Sequence, residues 1–230
     1  MKDEVILKQL ADAIMKGDAE TAEAKAKVIA QYAKDPDEAL DDLYDAFRTV
    51  ESLHMVGEYD AERFSASANA ARASLNVLKV NLTPRQTRFT ARICIGPVSG
   101  GNDVVSAIMG AMLTAAGCET IDISSAATAK ELLRNAEQNR AELLVVSFNE
   151  QNANLEKEFV NEFQSGGFRN KFNAIAFARG PQPMTNESGA FVFVAREPLE
   201  LLSKTTEFLI RNKGKRASYL DRVLRLGKRI

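Results

Sequence analysis

The sequence predicts an α plus α/β protein: an N-terminal four-helix bundle, then a five-stranded, doubly wound parallel sheet of Rossmann or flavodoxin type. Three observations carry this expectation. Over residues 5–82 apolar residues recur three or four apart, and no alternating run interrupts them. Past residue 91, short apolar strands alternate with helices, the pattern of parallel βαβ units. Between the halves, Thr83-Pro84-Arg85-Gln86-Thr87-Arg88 reads as a polar linker. The expected division is a helical bundle over 1–82, a linker over 83–90, a sheet domain over 91–210 and a tail over 211–230.

Leu7, Leu10, Ala11 and Ile14 place the first helix, and Ala22, Ala26 and Ile29 place the second. Gly17-Asp18 is a break followed by an N-cap. Asp35-Pro36 repeats that device, with Pro36 suited to the first helical position. Gly57 separates a third helix, over 36–55, from a fourth over about 61–78. Short connections between four helices imply an antiparallel bundle. In the second half, a strand at 92–95 runs into the Gly-rich turn Gly96-Pro97-Val98-Ser99-Gly100-Gly101. A helix of small and apolar residues follows over 103–116 and stops at Gly117. The remaining strands are expected at 119–123, 142–147, 172–178 and 190–194, with helices at 127–139, 153–164 and 198–211.

Composition narrows the function classes. The 230 residues are 45% apolar and 27% charged, with 30 basic and 31 acidic side chains and a net charge of −1. That balance argues against a chain-wide nucleic-acid surface. No apolar run reaches the ~20 residues of a membrane span. The start, with its acids and no apolar core, is not a secretory signal, so a cytoplasmic protein with reduced thiols is expected. Cys94 and Cys118 form no disulfide framework or metal-spaced cluster, Cys94 reading as core. The chain has one histidine, His54. His-paired zinc sites are thereby excluded, and a Ser–His–Asp triad is possible through His54 alone. The tail carries eight Lys/Arg and one acid, Asp221, which leaves the preceding 210 residues with 22 basic and 30 acidic side chains, a balance of −8. Tyr219, Leu220, Val223 and Leu224 share one helical face. The tail reads either as an arm for an acidic partner or anionic surface, or as a helix docked on the molecule's own acidic surface.

Ligands of doubly wound sheets bind outside the carboxyl ends of the strands, here residues 97–102, 147–151 and 180–185. The turn at Gly96–Gly101 could hold an anion at a helix N-terminus, but it lacks the lysine of a Walker loop and the G-x-G-x-x-G of a dinucleotide site. Ser147-Phe148-Asn149 closes the central strand, as a ligand contact or as a polar strand end. Asp122, Glu142, Glu150 and Glu156 are candidate acids that spacing does not pair. His54, near a helix end, reads as structural or solvated. On these residues alone no reaction can be named.

The order of parts, and several motifs, resemble a known family. Ala11-Asp12-Ala13-Ile14 through Gly17-Asp18-Ala19 is similar to the opening helix pair of corrinoid proteins. These are the methyl carriers of methylamine and methanol metabolism and the cobalamin-binding module of methionine synthase. Val50-Glu51-Ser52-Leu53-His54-Met55-Val56-Gly57-Glu58-Tyr59 resembles the signature V-G-x-L-F-x-x-G-E-Y, with Glu51 at the first glycine. Ala70-Ala71-Arg72 through Leu75 and Leu78 fits the final helix. Ala115-Ala116-Gly117-Cys118-Glu119-Thr120-Ile121-Asp122 looks like A-A-G-F-E-V-I-D, and Gly180-Pro181-Gln182-Pro183-Met184-Thr185 falls at G-G-A-P-V-T. The similarity spans residues 5–210.

The resemblance implies a corrinoid between the halves. In the family a histidine of D-x-H-x-x-G ligates cobalt from below, and the nucleotide tail passes the serine of S-x-L and the paired glycines. An aromatic of V-G-x-L-F caps the upper face. The residues at those positions here are His54 for the cap, Gly100, Gly101, Asn102 and Asp103 for the ligand loop, Ser147 and Asn149 for S-x-L, and Gly180 and Pro181 for the glycine pair. The loop holds no histidine in either register. Asn149 replaces leucine, and Pro181 adds a ring where the tail fits closely. Three readings stay open. One is a divergent corrinoid protein of a methyltransferase system, a carrier with methyltransferase subunits as partners rather than a complete catalyst. Another is a cofactor-free binding or regulatory relative. The last is a binder of another small molecule in the same cleft.

Overall fold

The computed structural model describes residues 2–32, 36–82, 91–98, 103–148, 153–178 and 188–213. Four helices come first: α1 (Lys2–Lys16), α2 (Ala19–Tyr32), α3 (Pro36–Met55) and α4 (Ala61–Asn81). Each presents one apolar stripe to the others. Leu10 and Ile14 of α1, Ala22 and Ala26 of α2, Leu40, Leu43 and Phe47 of α3, and Ala71, Leu75 and Leu78 of α4 are all buried. Aspartates start two of them. Asp18 accepts the Thr21 N–H at 3.0 Å ahead of α2, and Asp60 accepts the Arg63 N–H at 2.7 Å ahead of α4. Helix α4 runs three residues past the expected 78, to Asn81.

The second half contains β1 (Arg92–Pro97), α5 (Val104–Ala115), β2 (Glu119–Asp122), α6 (Ala129–Gln138), β3 (Leu143–Phe148), α7 (Ala153–Ser165), β4 (Asn173–Ala178), β5 (Val194–Ala195) and α8 (Pro198–Lys213). The strands form one sheet of order β2-β1-β3-β4-β5, with every neighbouring pair parallel. The register sets Ile93 against Leu143, and Leu143 against Asn173.

Two expected boundaries are corrected. Gly96 and Pro97 belong to strand β1 rather than to the turn. Gly96 lets the strand pass under α6, since a Cβ there would stand 2.9 Å from Leu132 Cδ1 and 3.1 Å from the Ile123 carbonyl. The fifth strand is Val194–Ala195 instead of 190–194. Ahead of it, Phe191 turns into the aromatic cluster of Phe148 and Phe159, with ring centroids 5.8 and 5.6 Å away.

Side chains alternate across the sheet as the pleat requires. Ile93, Ile95, Leu143, Val145, Ile175 and Phe177 share a core with α5, α8 and all four bundle helices. Cys94, Leu144, Val146, Ala174 and Ala176 face the other way, onto α6 and α7. Helix α5 lies between the sheet and the bundle, packed against α3 and α4. This explains why its sequence is apolar around the whole circumference. Tyr44 of α3 reaches the sheet itself, edge-on to Phe177 at 6.5 Å. Nearby, Arg48 makes two 3.0 Å hydrogen bonds to the carboxylate of Glu197. No helix among the described residues is long and apolar enough to cross a membrane.

Candidate functional site

Strand order locates the crevice. In a 2-1-3-4-5 sheet, connections leave β1 and β3 toward opposite faces, so a ligand crevice opens between the carboxyl ends of those two strands. Pro97 of β1 pairs with Ser147 of β3 at that point, and the Val98 N–H donates to the Ser147 carbonyl at 3.2 Å. Ser147 is in phase with Leu143 and Val145, so its side chain points to the face that carries α5 and the bundle. It is 3% exposed, and among the described residues its Oγ has no hydrogen-bond partner. A buried hydroxyl left unpaired costs about 1–3 kcal/mol; the Thr120 and Thr205 hydroxyls share that state, and Ser147 is the one of the three that stands at the β1/β3 edge.

Asp103 lies on the same edge, and its carboxylate is engaged. It caps α5, accepting the Val105 N–H at 3.1 Å on one oxygen and the Ser106 hydroxyl at 2.8 Å on the other. Arg72 of α4 faces it electrostatically: burial pulls the Arg72 pKa down, and the Asp103 charge opposes that shift. Sequence reasoning missed Arg72. The available signal was a cation set between the buried positions Ala71 and Ser74, on the inner side of α4.

The bundle overhangs this edge. Helix α3 starts near the far end of α5, where Leu40 shares a cleft of about 380 Å³ with Met112, Ala115 and Leu199. It then climbs past Tyr44–Phe177 to Arg48–Glu197, just beyond the end of β5. Seven further residues to Met55 carry it about 10 Å past that contact. Helix α4 returns from Ala61 to Arg72, opposite the start of α5, a descent of roughly 16 Å. The corner between α3 and α4 therefore lies past the Arg48–Glu197 contact, on the side of the carboxyl ends of the strands, while the 380 Å³ cleft lies between α3, α5 and the first half of α8.

His54 is at that corner. Helix α3 ends in a Schellman turn: the Glu58 N–H donates to Leu53 O at 2.9 Å and the Gly57 N–H to His54 O at 3.1 Å. Gly57 takes φ +79°, which a side chain would oppose. The His54 ring is half-buried and stacks on Phe64 at 4.5 Å and 21°, and Phe64 in turn touches Phe47 at 5.9 Å. Its Nδ1 lies 2.8 Å from Tyr59 O. A carbonyl only accepts, so Nδ1 carries the proton and the lone pair of the neutral ring is on Nε2. Beside the ring, Met55 and Val56 are 47% and 71% exposed. Phe64 escaped sequence reasoning because it pairs with His54 across a turn rather than along a helix.

Of the nine sequence-predicted residues, the structure thus places Ser147 and Asp103 on the sheet edge and His54 on the overhanging corner. Gly100, Gly101, Asn102, Asn149, Gly180 and Pro181 lie outside the described residues. The basic tail lies outside them as well, apart from the stretch up to Lys213. Among the described residues no three His, Cys, Asp or Glu side chains could hold a metal together. Cys94 is fully buried, and burial pushes its thiol up to about 11, which makes it a core residue and no nucleophile.

The architecture can now be compared with known proteins. No family model matches the sequence, and no curated protein matches it. Among solved structures, the monomethylamine corrinoid protein of Methanosarcina barkeri superposes with a TM-score of 0.72 at 17% identity, covering 90% of this chain and 99% of that one. The chain has the fold of a corrinoid protein. Two further structures align with TM-scores below 0.5. A cobalamin-binding protein from Desulfitobacterium hafniense gives 0.44 at 19% identity, covering 87% of this chain and 97% of its own. The methanol:cobalamin methyltransferase complex of Methanosarcina barkeri gives 0.45 at 19%, covering 91% and 81%. Within the corrinoid-protein fold, the residues here fit a large polar ligand in two respects. Among the described residues Ser147 has a buried, unpaired hydroxyl at the β1/β3 edge, and the α3–α4 corner carries the aromatic pair His54–Phe64.

Proposed function

We propose that this chain is a corrinoid carrier of a methyltransferase system. It would hold a cobalamin-type cofactor between the α3–α4 corner and the carboxyl ends of β1 and β3, without an imidazole from the lower loop. The observation that carries the reading is the unpaired, buried Ser147 hydroxyl at the β1/β3 switch point, on the side of the sheet that the bundle overhangs. When bound, the cobalt of such a group supplies methyl transfer, and the protein supplies placement. Ser147 would hydrogen-bond the part of the cofactor that enters the sheet, with Gly180 beside it. His54 and Phe64 would cover the outer face. The partners are methyltransferase subunits that bring and remove the methyl group, so the chain is a carrier and not a complete catalyst.

A second reading has its own support. Asp103, the residue near the lower-ligand position, is committed to capping α5, and Pro181 replaces a glycine of the pair. These features suit a relative that keeps the carrier's shape and binds a protein partner without a cofactor. One experiment separates the two. The apo-protein is mixed with hydroxocobalamin, desalted, and its visible absorbance measured. Corrinoid retained at close to one per chain supports the carrier. A folded but colourless protein rejects the carrier and supports the cofactor-free reading.

A further inference from the structure

The seam between bundle and sheet carries a surface that the carrier reading leaves unused. Helices α3, α5 and α8 enclose the cleft of about 380 Å³ there, with Leu40, Met112, Ala115 and Leu202 along its walls. We propose that residues 214–230 of this same chain dock in that cleft. Tyr219, Leu220, Val223 and Leu224 would meet its apolar walls, and the basic residues among them would meet the acids of α3. This docking would hold with or without a corrinoid.

The cleft presents apolar side chains to solvent. Leu199 on its rim is 68% exposed. Ile210, which continues the stripe of Leu199, Ser203 and Thr206 along α8, is 41% exposed. Large apolar side chains gathered on one open face mark a docking surface, and a groove of this kind takes an amphipathic segment whose anchors recur three and four apart. Tyr219, Leu220, Val223 and Leu224 have that spacing.

Charge and reach select the chain's own tail as the occupant. Residues 38–45 of α3 include four acids, Glu38, Asp41, Asp42 and Asp45, and no base. Asp41 lines the cleft, and Glu38 and Asp45 stand one turn to either side of it. Burial, and then the charges of Glu38 and Asp45, push the Asp42 carboxyl up, so this stretch repels itself. Residues 214–230 carry six Lys/Arg and one acid, Asp221, whereas residues 1–213 carry 24 bases and 30 acids. The end of α8 at Lys213 is about 15 Å along the helix from Ser203. Gly214 follows directly and suits a reversal of the chain. Five extended residues, 214–218, span up to roughly 17 Å, which brings Tyr219 level with Ser203. A tether this short holds the segment near the cleft at an effective concentration on the order of millimolar, an advantage that no separate molecule shares.

Two measurements on the full-length chain test the docking. In the first, hydrogen exchange of the α8 amides over 199–210 is compared between the unaltered protein and a variant with Leu220→Asp and Leu224→Asp. The variant should exchange at least several-fold faster there, with exchange in α6 unchanged. In the second, Ser203→p-benzoylphenylalanine places a photoreactive ring on the exposed rim of the cleft, and Lys130→p-benzoylphenylalanine places one on exposed α6, across the sheet. After irradiation, mass spectrometry of the digests should find the 203 ring joined to residues 217–226 of its own chain, several-fold more often than the 130 ring. Exchange in α8 that the two aspartates leave unchanged overturns the docking. So does an adduct of the 203 ring to a second chain in place of its own tail, or a tail adduct equally abundant from both rings.

Discussion

Replacing Tyr44 with alanine should loosen the seam between the bundle and the sheet more than any change to the charged contact beside it. Tyr44 is 3% exposed and meets Phe177, itself fully buried, edge to face at 6.5 Å. Deleting a buried aromatic ring costs about 3–5 kcal/mol. Of that, the ring-pair geometry accounts for roughly 0.5–1.5 kcal/mol. The core that contains Tyr44 runs unbroken from the bundle through α5 to the sheet, so both halves should unfold in one transition. With a urea slope of about 2–3 kcal/mol per molar, Tyr44→Ala should lower the midpoint by roughly 1–2 M without splitting the curve. The chain has no tryptophan, so far-ultraviolet circular dichroism is the suitable probe, since it sees helices in both halves. A loss below about 1 kcal/mol, or an unaltered protein that unfolds in two steps, would refute the argument that the seam is core.

Four further outcomes are expected. Arg48→Ala should cost less than about 1 kcal/mol in the same urea titration, because its pair with Glu197 is half-exposed on both sides (55% and 52%) and solvent screens it. Ser147→Ala should leave the apo-protein's melting temperature unchanged or raise it, since no hydrogen bond is lost, while hydroxocobalamin retention after desalting falls at least several-fold. Gly96→Ala should destabilise by about 1–3 kcal/mol in thermal or urea unfolding, as its methyl would be forced against Leu132 and the Ile123 carbonyl. Burial raises the folded-state pKa of Cys94 from about 9 to about 11, so its contribution to stability is complete below pH 9 and is lost as pH rises toward 11. Urea midpoints measured across that range should fall, and Cys94→Ala should flatten the fall.

The fold was legible because each half repeats one period over many residues. Leu7, Leu10 and Ile14 cannot line one face of anything but a helix, and the buried runs of β3 and β4, bounded by helices, suit parallel strands. Boundaries failed where tertiary contact overrode a local signal. Gly96-Pro97 looks like the start of a turn, yet it stays in β1 because only the missing Cβ allows α6 to lie so close. The sequence pattern starts the fifth strand too early, because Phe191 and Phe193 alternate with Val192 and Val194 as a strand would, whereas Phe191 is drawn into the aromatic cluster. The site was less legible, since its meaning is in pairings across distant segments. Nothing in the sequence says that Asp103 spends both oxygens on its own helix, that His54 is held by Tyr59 and Phe64, or that the Ser147 hydroxyl is unpaired.

Helix α3 divides into a stretch that holds the fold together and a stretch that does not. Leu40, Leu43, Tyr44, Ala46, Phe47 and Val50 are buried, and Tyr44 and Arg48 tie this stretch to the second half. Residues from Leu53 to Tyr59 turn the corner beyond it, where Tyr59 bonds Met15 and His54 stacks on Phe64. A substitution in the first stretch disturbs a core shared by both halves and costs kilocalories. One in the second leaves that core untouched, provided the Schellman turn survives. The same division holds in the sheet: Leu143 and Val145 are core on the bundle face, whereas Ser147, two residues on and in the same phase, stands at the strand end with its hydroxyl unpaired among the described residues. Stability therefore constrains the interior of each element more than its end. This is why a 17% identical corrinoid protein can share the architecture across 90% of the chain. It also means that the retained fold is no measure of the retained chemistry. The ends decide that, and the most informative of them are Ser147 and His54.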